Sequence, residues 1–317
     1  MSVDFQTRYK KQIDWLLTGD PSIRYQTLRD LINADQQVLN KEQECILNEG
    51  WGKRFLDLQE PIGTWSNALY SPKWTSTFYT LLLLKRFGAP PNENIEKACR
   101  ILIDKGFYKK DGGINYWKSC VQGECCVTAM LLSMLCHFKI EDARIPRMVK
   151  FLFSEQMSDN GWNCNRFKGA NHSSFHTTIS VLEGLWEYEK KYPSDELINS
   201  VQQKQKEGIE FLLDHHLYKS NTTWETVNPK MIKLSFPPRW HYDIIRCLDY
   251  FQERNIKKDK RMNDAMDLLI KKQTAEGIWK LEIKYPAKTF FEMEKVGKES
   301  RWNTLRALRI LKWWESD

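Results

Sequence analysis

One stretch of helix is written into this chain twice, once near each end. Ile23-Arg24-Tyr25-Gln26-Thr27-Leu28-Arg29-Asp30-Leu31 matches Ser300-Arg301-Trp302-Asn303-Thr304-Leu305-Arg306-Ala307-Leu308. With Tyr25 and Trp302 as anchors, equivalent positions fall at Trp74, Glu124, Phe175 and Trp240, spaced by 49, 50, 51, 65 and 62 residues, and each opens an apolar run. A period of this size marks one supersecondary unit used six times, and it claims residues 1–317 as a single domain.

A second element precedes most anchors: Gln59 then Gly63-Thr64-Trp65, Gln156 then Gly161-Trp162, and Gln273 then Gly277-Ile278-Trp279. A degenerate copy stands at Asp111-Gly112-Gly113 with Tyr116-Trp117. The glycine is expected to stop the preceding helix in a left-handed conformation, and the tryptophan to pack the loop between neighbouring units. Upstream of each lies another amphipathic segment, roughly 5–17, 40–58, 92–105, 145–157, 198–215 and 259–273.

The segments after the anchors, such as Phe78–Leu84 and Val127–Leu135, are apolar nearly all round, as helices enclosed on both sides must be. Those before the anchors have one apolar stripe and a charged face. The expected fold is all-α: an α6/α6 toroid with an inner and an outer ring of helices. An open solenoid would carry polar caps, and neither terminal unit reads as one.

Composition narrows the function classes. The longest apolar runs fall well short of the ~20 residues of a membrane crossing. The polar stretch Met1–Lys11 lacks the apolar core of a secretory signal, so a cytoplasmic location is expected. Eight scattered cysteines do not look like a disulfide framework. A formal charge of +7 without a long Lys/Arg block argues against nucleic acid and favours an anionic small ligand.

The Gln…Gly-x-Trp loops, with helix openings such as Phe175-His176-Thr177-Thr178-Ile179-Ser180-Val181-Leu182-Glu183-Gly184-Leu185, resemble the terpenoid cyclase and protein prenyltransferase superfamily of α/α toroids over essentially the whole chain. The Asp-x-Asp-Asp motif of class II cyclases and the Asp-Asp-x-x-Asp motif of class I synthases are both absent. Prenyltransferase β subunits hold zinc with an Asp-x-Cys at one helix opening and a His at a later one. The nearest counterpart is Glu124-Cys125-Cys126 with His176, and Cys164 just upstream; the resemblance thus implies a zinc site from Cys125, Cys126, Cys164 and His176. Small, buried core cysteines explain the same residues. Those subunits also need a partner chain, and whether this protein has one stays open.

Inner helices that run the same way gather their N-termini, and their positive dipole ends, at one mouth. The residue before the anchor is basic in four units: Arg24, Lys73, Arg239 and Arg301, beside Tyr25, Trp74, Trp240 and Trp302. A cation next to an aromatic, repeated around a rim, suits a phosphate, diphosphate or carboxylate on an apolar body. Pairing with local acids would explain the same bases. The fifth unit opens most polar, with His241, Tyr242 and Asp243 as candidates for acid/base work, and its long lead-in, 221–236, reads as a binding loop. A capping Asp and a core-edge His are the structural alternative.

Three functions fit. The first is an enzyme of the prenyltransferase and cyclase class acting on an anionic, partly apolar molecule such as an isoprenoid diphosphate. The second is a lyase or hydrolase for acidic glycans. The third is a ring-shaped binding or scaffold protein without turnover.

Overall fold

The computed structural model describes residues 4–117 and 121–316. Fourteen α-helices alternate between two rings among the described residues, and no β-strand forms there beyond isolated bridges. The inner ring is α3 (Pro21–Thr27), α6 (Thr77–Phe87), α8 (Cys125–His137), α10 (Phe175–Lys191), α12 (Ile244–Glu253) and α14 (Arg301–Glu315). The outer ring is α1 (Phe5–Arg8) with α2 (Lys10–Leu17), α4 (Gln36–Asn48) with α5 (Gly50–Leu56), α7 (Glu93–Gly106), α9 (Ile145–Ser154), α11 (Ile198–Asp214) and α13 (Asn263–Lys271). The architecture is the expected α/α toroid.

Local chemistry sets the helix ends. Asp20, Asn92, Asp243 and Ser300 each accept a backbone N–H of the first turn, and Gly88 ends α6 in the left-handed region at φ 81°. Eleven residues of α8 are buried, which fits a helix apolar on every side. No helix among the described residues is long and apolar enough to cross a membrane.

The ring can be walked by its contacts. Gln26 of α3 donates to the Arg86 and Phe87 carbonyls at the end of α6. α6 packs on α8, and α8 approaches α10 so closely that a Cβ on Gly184 would lie 2.6 Å from the Ala129 carbonyl oxygen. Glu183 joins α10 to Arg246 of α12, Asp249 joins α12 to Arg306 of α14, and Arg309 of α14 returns to Asp30 just beyond α3. The first and last units therefore meet, as their similar sequences imply.

The Gly-Trp loop works through two recurring hydrogen bonds. Trp65, Trp162 and Trp279, all fully buried, each donate Nε1 at 2.7 Å to a carbonyl ten residues earlier, on Phe55, Leu152 and Leu269. Their own backbone N–H groups donate at 3.0 Å to a threonine hydroxyl of the next inner helix, on Thr77, Thr178 and Thr304. The degenerate unit keeps the second bond, Ile114 to Thr128, and replaces the indole with the Tyr116 hydroxyl on Leu102. One expectation needs correcting: these glycines lie in the turn and not at the helix end. Gly63 and Gly277 have φ of 100° and 77°, but beside Trp162 the left-handed residue is Asn160. Gly161 is required by space, because a Cβ there would meet Ser173 at 2.6 Å.

Candidate functional site

Two units that stand opposite each other in the six-membered ring meet across the mouth where the inner helices begin. Lys73 and Trp74 lead into α6; Arg239, Trp240 and His241 lead into α12. The contacts are reciprocal. The Lys73 ammonium lies 5.2 Å from the Trp240 ring centroid, and the Arg239 guanidinium 5.1 Å from that of Trp74. Arg239 is 7% exposed, with its backbone at φ 57°, and burial pulls its pKa down to about 10. Among the described residues neither Lys73 nor Arg239 has a carboxylate within ion-pair distance.

His241 is fixed as a slab between Trp240 and Tyr285, with ring centroids 3.7 and 3.5 Å away. Burial, with His176, Arg246 and Lys73 nearby, lowers its pKa to about 3, so the imidazole is neutral at pH 7. His176, at the start of α10, meets the Trp240 and His241 rings edge-on, and burial lowers its pKa to about 4. Its Nδ1 accepts the Tyr242 backbone N–H at 2.7 Å, which places the proton of the neutral ring on Nε2.

Proton-active groups border the same mouth. Burial raises the pKa of Glu124 against the opposing charges of Lys168 and Lys73. The Tyr79 hydroxyl shares a 2.9 Å hydrogen bond with that of Tyr70, and its ring meets Trp74 edge-on at 4.8 Å. Sequence reasoning missed both tyrosines and also Tyr285, because nothing in a single chain marks a hydroxyl in an apolar helix or an aromatic in a long loop. The segment 282–299 crosses this mouth. Its Pro286 carbonyl accepts Trp74 Nε1 at 3.0 Å, while Phe291 packs on Phe55.

The other expected site residues are placed elsewhere. Asp243 is fully buried as the N-cap of α12, accepting from Arg246 and Ser235, and Tyr242 is sealed in the wall with its hydroxyl on the Leu217 carbonyl. His241 thus stands in the mouth without them. Arg24 is held by Glu42, Glu49 and the Gly19 carbonyl, and Arg301 lies over Trp15 and bonds to Thr18. Trp302 is stacked between Phe236 and Phe87.

The four candidate zinc donors do not converge. Cys125 turns toward Glu155, Cys164 accepts the Cys126 backbone N–H at 3.0 Å, and His176 spends Nδ1 on Tyr242. Among the described residues no group of three or more His, Cys, Asp or Glu side chains is placed to hold a metal. Cys125 and Cys126 have thiols pushed up in pKa, Cys125 chiefly by burial and Cys126 chiefly by its hydrogen bond to Cys164, whereas that same hydrogen bond lowers the pKa of Cys164.

Behind the mouth, the inner helices carry an ionic girdle around the ring axis that the sequence reading did not anticipate, running from Arg246 in the first turn of α12 and Arg306 in the second turn of α14 to Lys85, Arg86 and Glu187 near helix C-termini. Arg246, 1% exposed, grips Glu183 with two bonds of 2.8 Å, and Arg86 reaches the same carboxylate at 3.2 Å. Lys85 and Lys190 share Glu187, and Arg306 and Arg309 share Asp249. The available signal was a set of charges interrupting otherwise apolar helices.

No family model matches the chain, and no curated protein matches it. Among solved structures, a type II terpene cyclase from Scytonema, in complex with geranylgeranyl dihydroxybenzoate, is similar to it at 12% identity and a TM-score of 0.32, covering 82% of this chain and 94% of that one.

Proposed function

We propose that this protein is a prenyltransferase- or cyclase-like toroid enzyme that holds an anionic, partly apolar small molecule of isoprenoid diphosphate type at the mouth where its inner helices begin. The observation that carries the reading is the pair Lys73 and Arg239, two cations stacked on tryptophans and without carboxylate partners among the described residues. Burying the Arg239 cation unpaired is costly, and an arriving anion, which the half-buried Lys73 also reaches, offsets that cost. Trp74, Trp240 and Tyr285 supply flat apolar faces for the rest of the ligand and stabilise developing positive charge on carbon. Glu124, whose raised pKa keeps more of it protonated, is the proton donor of this reading, and the neutral His241 is the acceptor.

The test is titration of the protein with farnesyl diphosphate, followed by tryptophan fluorescence and calorimetry. Saturable binding is expected, weakened about 10- to 100-fold in Lys73→Ala and in Arg239→Gln, since each loses a charge-assisted contact. Unchanged affinity in both folded variants refutes the assignment of the mouth. Binding retained in His241→Ala with no product formed by either protein would leave a binding ring and refute the enzymatic part.

A further inference from the structure

The girdle encloses a cavity of about 130 Å³ on the ring axis, lined by inner-helix side chains and, on the side of the mouth, by Phe236, Pro238 and Trp302. Seven cationic and four anionic side chains line it. Asp30 and Asp243, which hold Arg309 and approach Arg306 from behind the wall, still leave one cation in excess. The imbalance is local. Glu183 is divided between Arg246 and Arg86, and Arg246 has the better of it with two bonds. The buried Arg86 Nε has no hydrogen-bond partner among the described residues. Arg306 spends its groups on Asp249 at 3.2 Å, the Ser235 carbonyl at 3.1 Å and a 4.0 Å approach to Asp243. Arg86, Arg246 and Arg306 come from α6, α12 and α14, three separate inner helices, and the charges of the other two help lower the Arg86 pKa to about 10, behind burial as the main cause.

We propose that this axial cavity is a second ligand site, deeper along the ring axis than the Lys73 and Arg239 pair, that takes a phosphate group between Arg86, Arg246 and Arg306. Donors arriving from three directions suit a tetrahedral anion better than a flat carboxylate, which is served by one guanidinium in a plane. The volume agrees: a hole of about 150 Å³ holds benzene, so this one admits a single phosphate and not a long apolar chain. An arriving anion offsets the cost of the cation left in excess in this buried setting.

Calorimetry of the intact protein in phosphate-free, low-salt buffer tests this, with inorganic phosphate as one probe and phenyl phosphate as the other. A saturable phosphate site weakened about 10- to 100-fold by Arg86→Gln and unaffected by Lys73→Ala is expected, distinct from any phosphate binding that Lys73→Ala weakens at the mouth. Tighter binding of the monoester identifies a phosphorylated molecule as the ligand, and tighter binding of inorganic phosphate identifies the free ion. Both results support the site. Absence of saturation at millimolar phosphate, or phosphate binding that Arg86→Gln leaves unchanged, overturns it. If Arg86→Gln does not fold, wild-type crystals soaked in tungstate decide: density beside the Arg86 and Arg306 guanidiniums supports the site, and density elsewhere or none overturns it. The farnesyl diphosphate experiment at the mouth can fail without affecting this result.

Discussion

Replacing Arg246 with Met tests whether the ionic girdle holds the ring together. Arg246 is 1% exposed and makes four bonds: two of 2.8 Å to Glu183, one of 2.8 Å to the His241 carbonyl and one of 3.2 Å to Ser180 Oγ. Methionine keeps much of the stem volume and removes all four. Taking one partner out of a buried pair costs about 3–5 kcal/mol, most of it from the charge left behind. Here Glu183 retains Arg86 at 3.2 Å, and Arg86 loses a repelling neighbour, so the expected loss lies at the low end, about 3 kcal/mol. Urea unfolding should show a lower midpoint at unchanged slope. Adding Glu183→Leu should return part of the loss, because the orphaned carboxylate is then gone, although Arg86 pays in its turn. A loss below about 1 kcal/mol would equate the pair with a surface salt bridge and refute the girdle as a structural element.

Acid should weaken the fold before the carboxylates titrate. Burial is the leading cause that lowers the pKa of His137 and His176 to about 4 and of His241 to about 3. The unfolded chain takes up these protons near pH 6.5 and the folded chain does not, so stability is full above about 6.5 and declines as pH falls toward 4. Each histidine contributes at most about 1.4 kcal/mol per pH unit in that window. Asp243 and Glu294, whose pKa values burial raises, have the opposite sign near pH 4 and offset part of the decline there. Urea midpoints measured from neutral pH downward should fall, less steeply in His137→Gln; a flat profile would contradict the neutral buried state. Gly184→Ala should lower the melting temperature by the equivalent of about 1–3 kcal/mol, because its Cβ would press on the Ala129 backbone and force α8 from α10. An unchanged melting temperature would mean that the two helices pack less tightly than the structure has them.

The repeats were legible because each unit is local: a helix, a turn with tryptophan and a second helix lie within about fifty residues, and apolar period plus turn chemistry mark all three. The mouth was legible in part for the same reason, since Lys73, Trp74, Arg239, Trp240 and His241 hold fixed positions relative to their anchors. Their pairing was not. Lys73 finds Trp240 across the ring, and Glu183 finds Arg246 across 63 residues, and no local pattern encodes such partners. Asp243 shows the converse: next to a histidine and a tyrosine it read as acid/base chemistry, whereas its position just before an apolar helix made capping the stronger physical demand. Arg24 and Arg301 share the rim position of Lys73 and Arg239, but acids or aromatics of the outer ring claim them first. The threonine hydroxyls under the tryptophan loops were hidden by being ordinary residues in helical openings.

Closure of the ring poses a problem of partner choice. The helices that meet at the seam, α14 and α3, open with related sequences, identical at five of nine positions, so the apolar surface that lets one chain bite its own tail would also serve to seize the tail of another. A repeat that adds heterologously without closing grows into a filament, and one that exchanges ends makes a swapped dimer. At the seam the discrimination rests on a lock of charge: Arg309 engages Asp30 and Gln26, and Lys312 the Asp30 and Leu31 carbonyls. Grease alone tolerates sliding, but this lock accepts one rotation of one helix. The pairs that look like decoration on the inner wall are therefore what keeps the ring closed on itself and stops it from becoming a link in a chain.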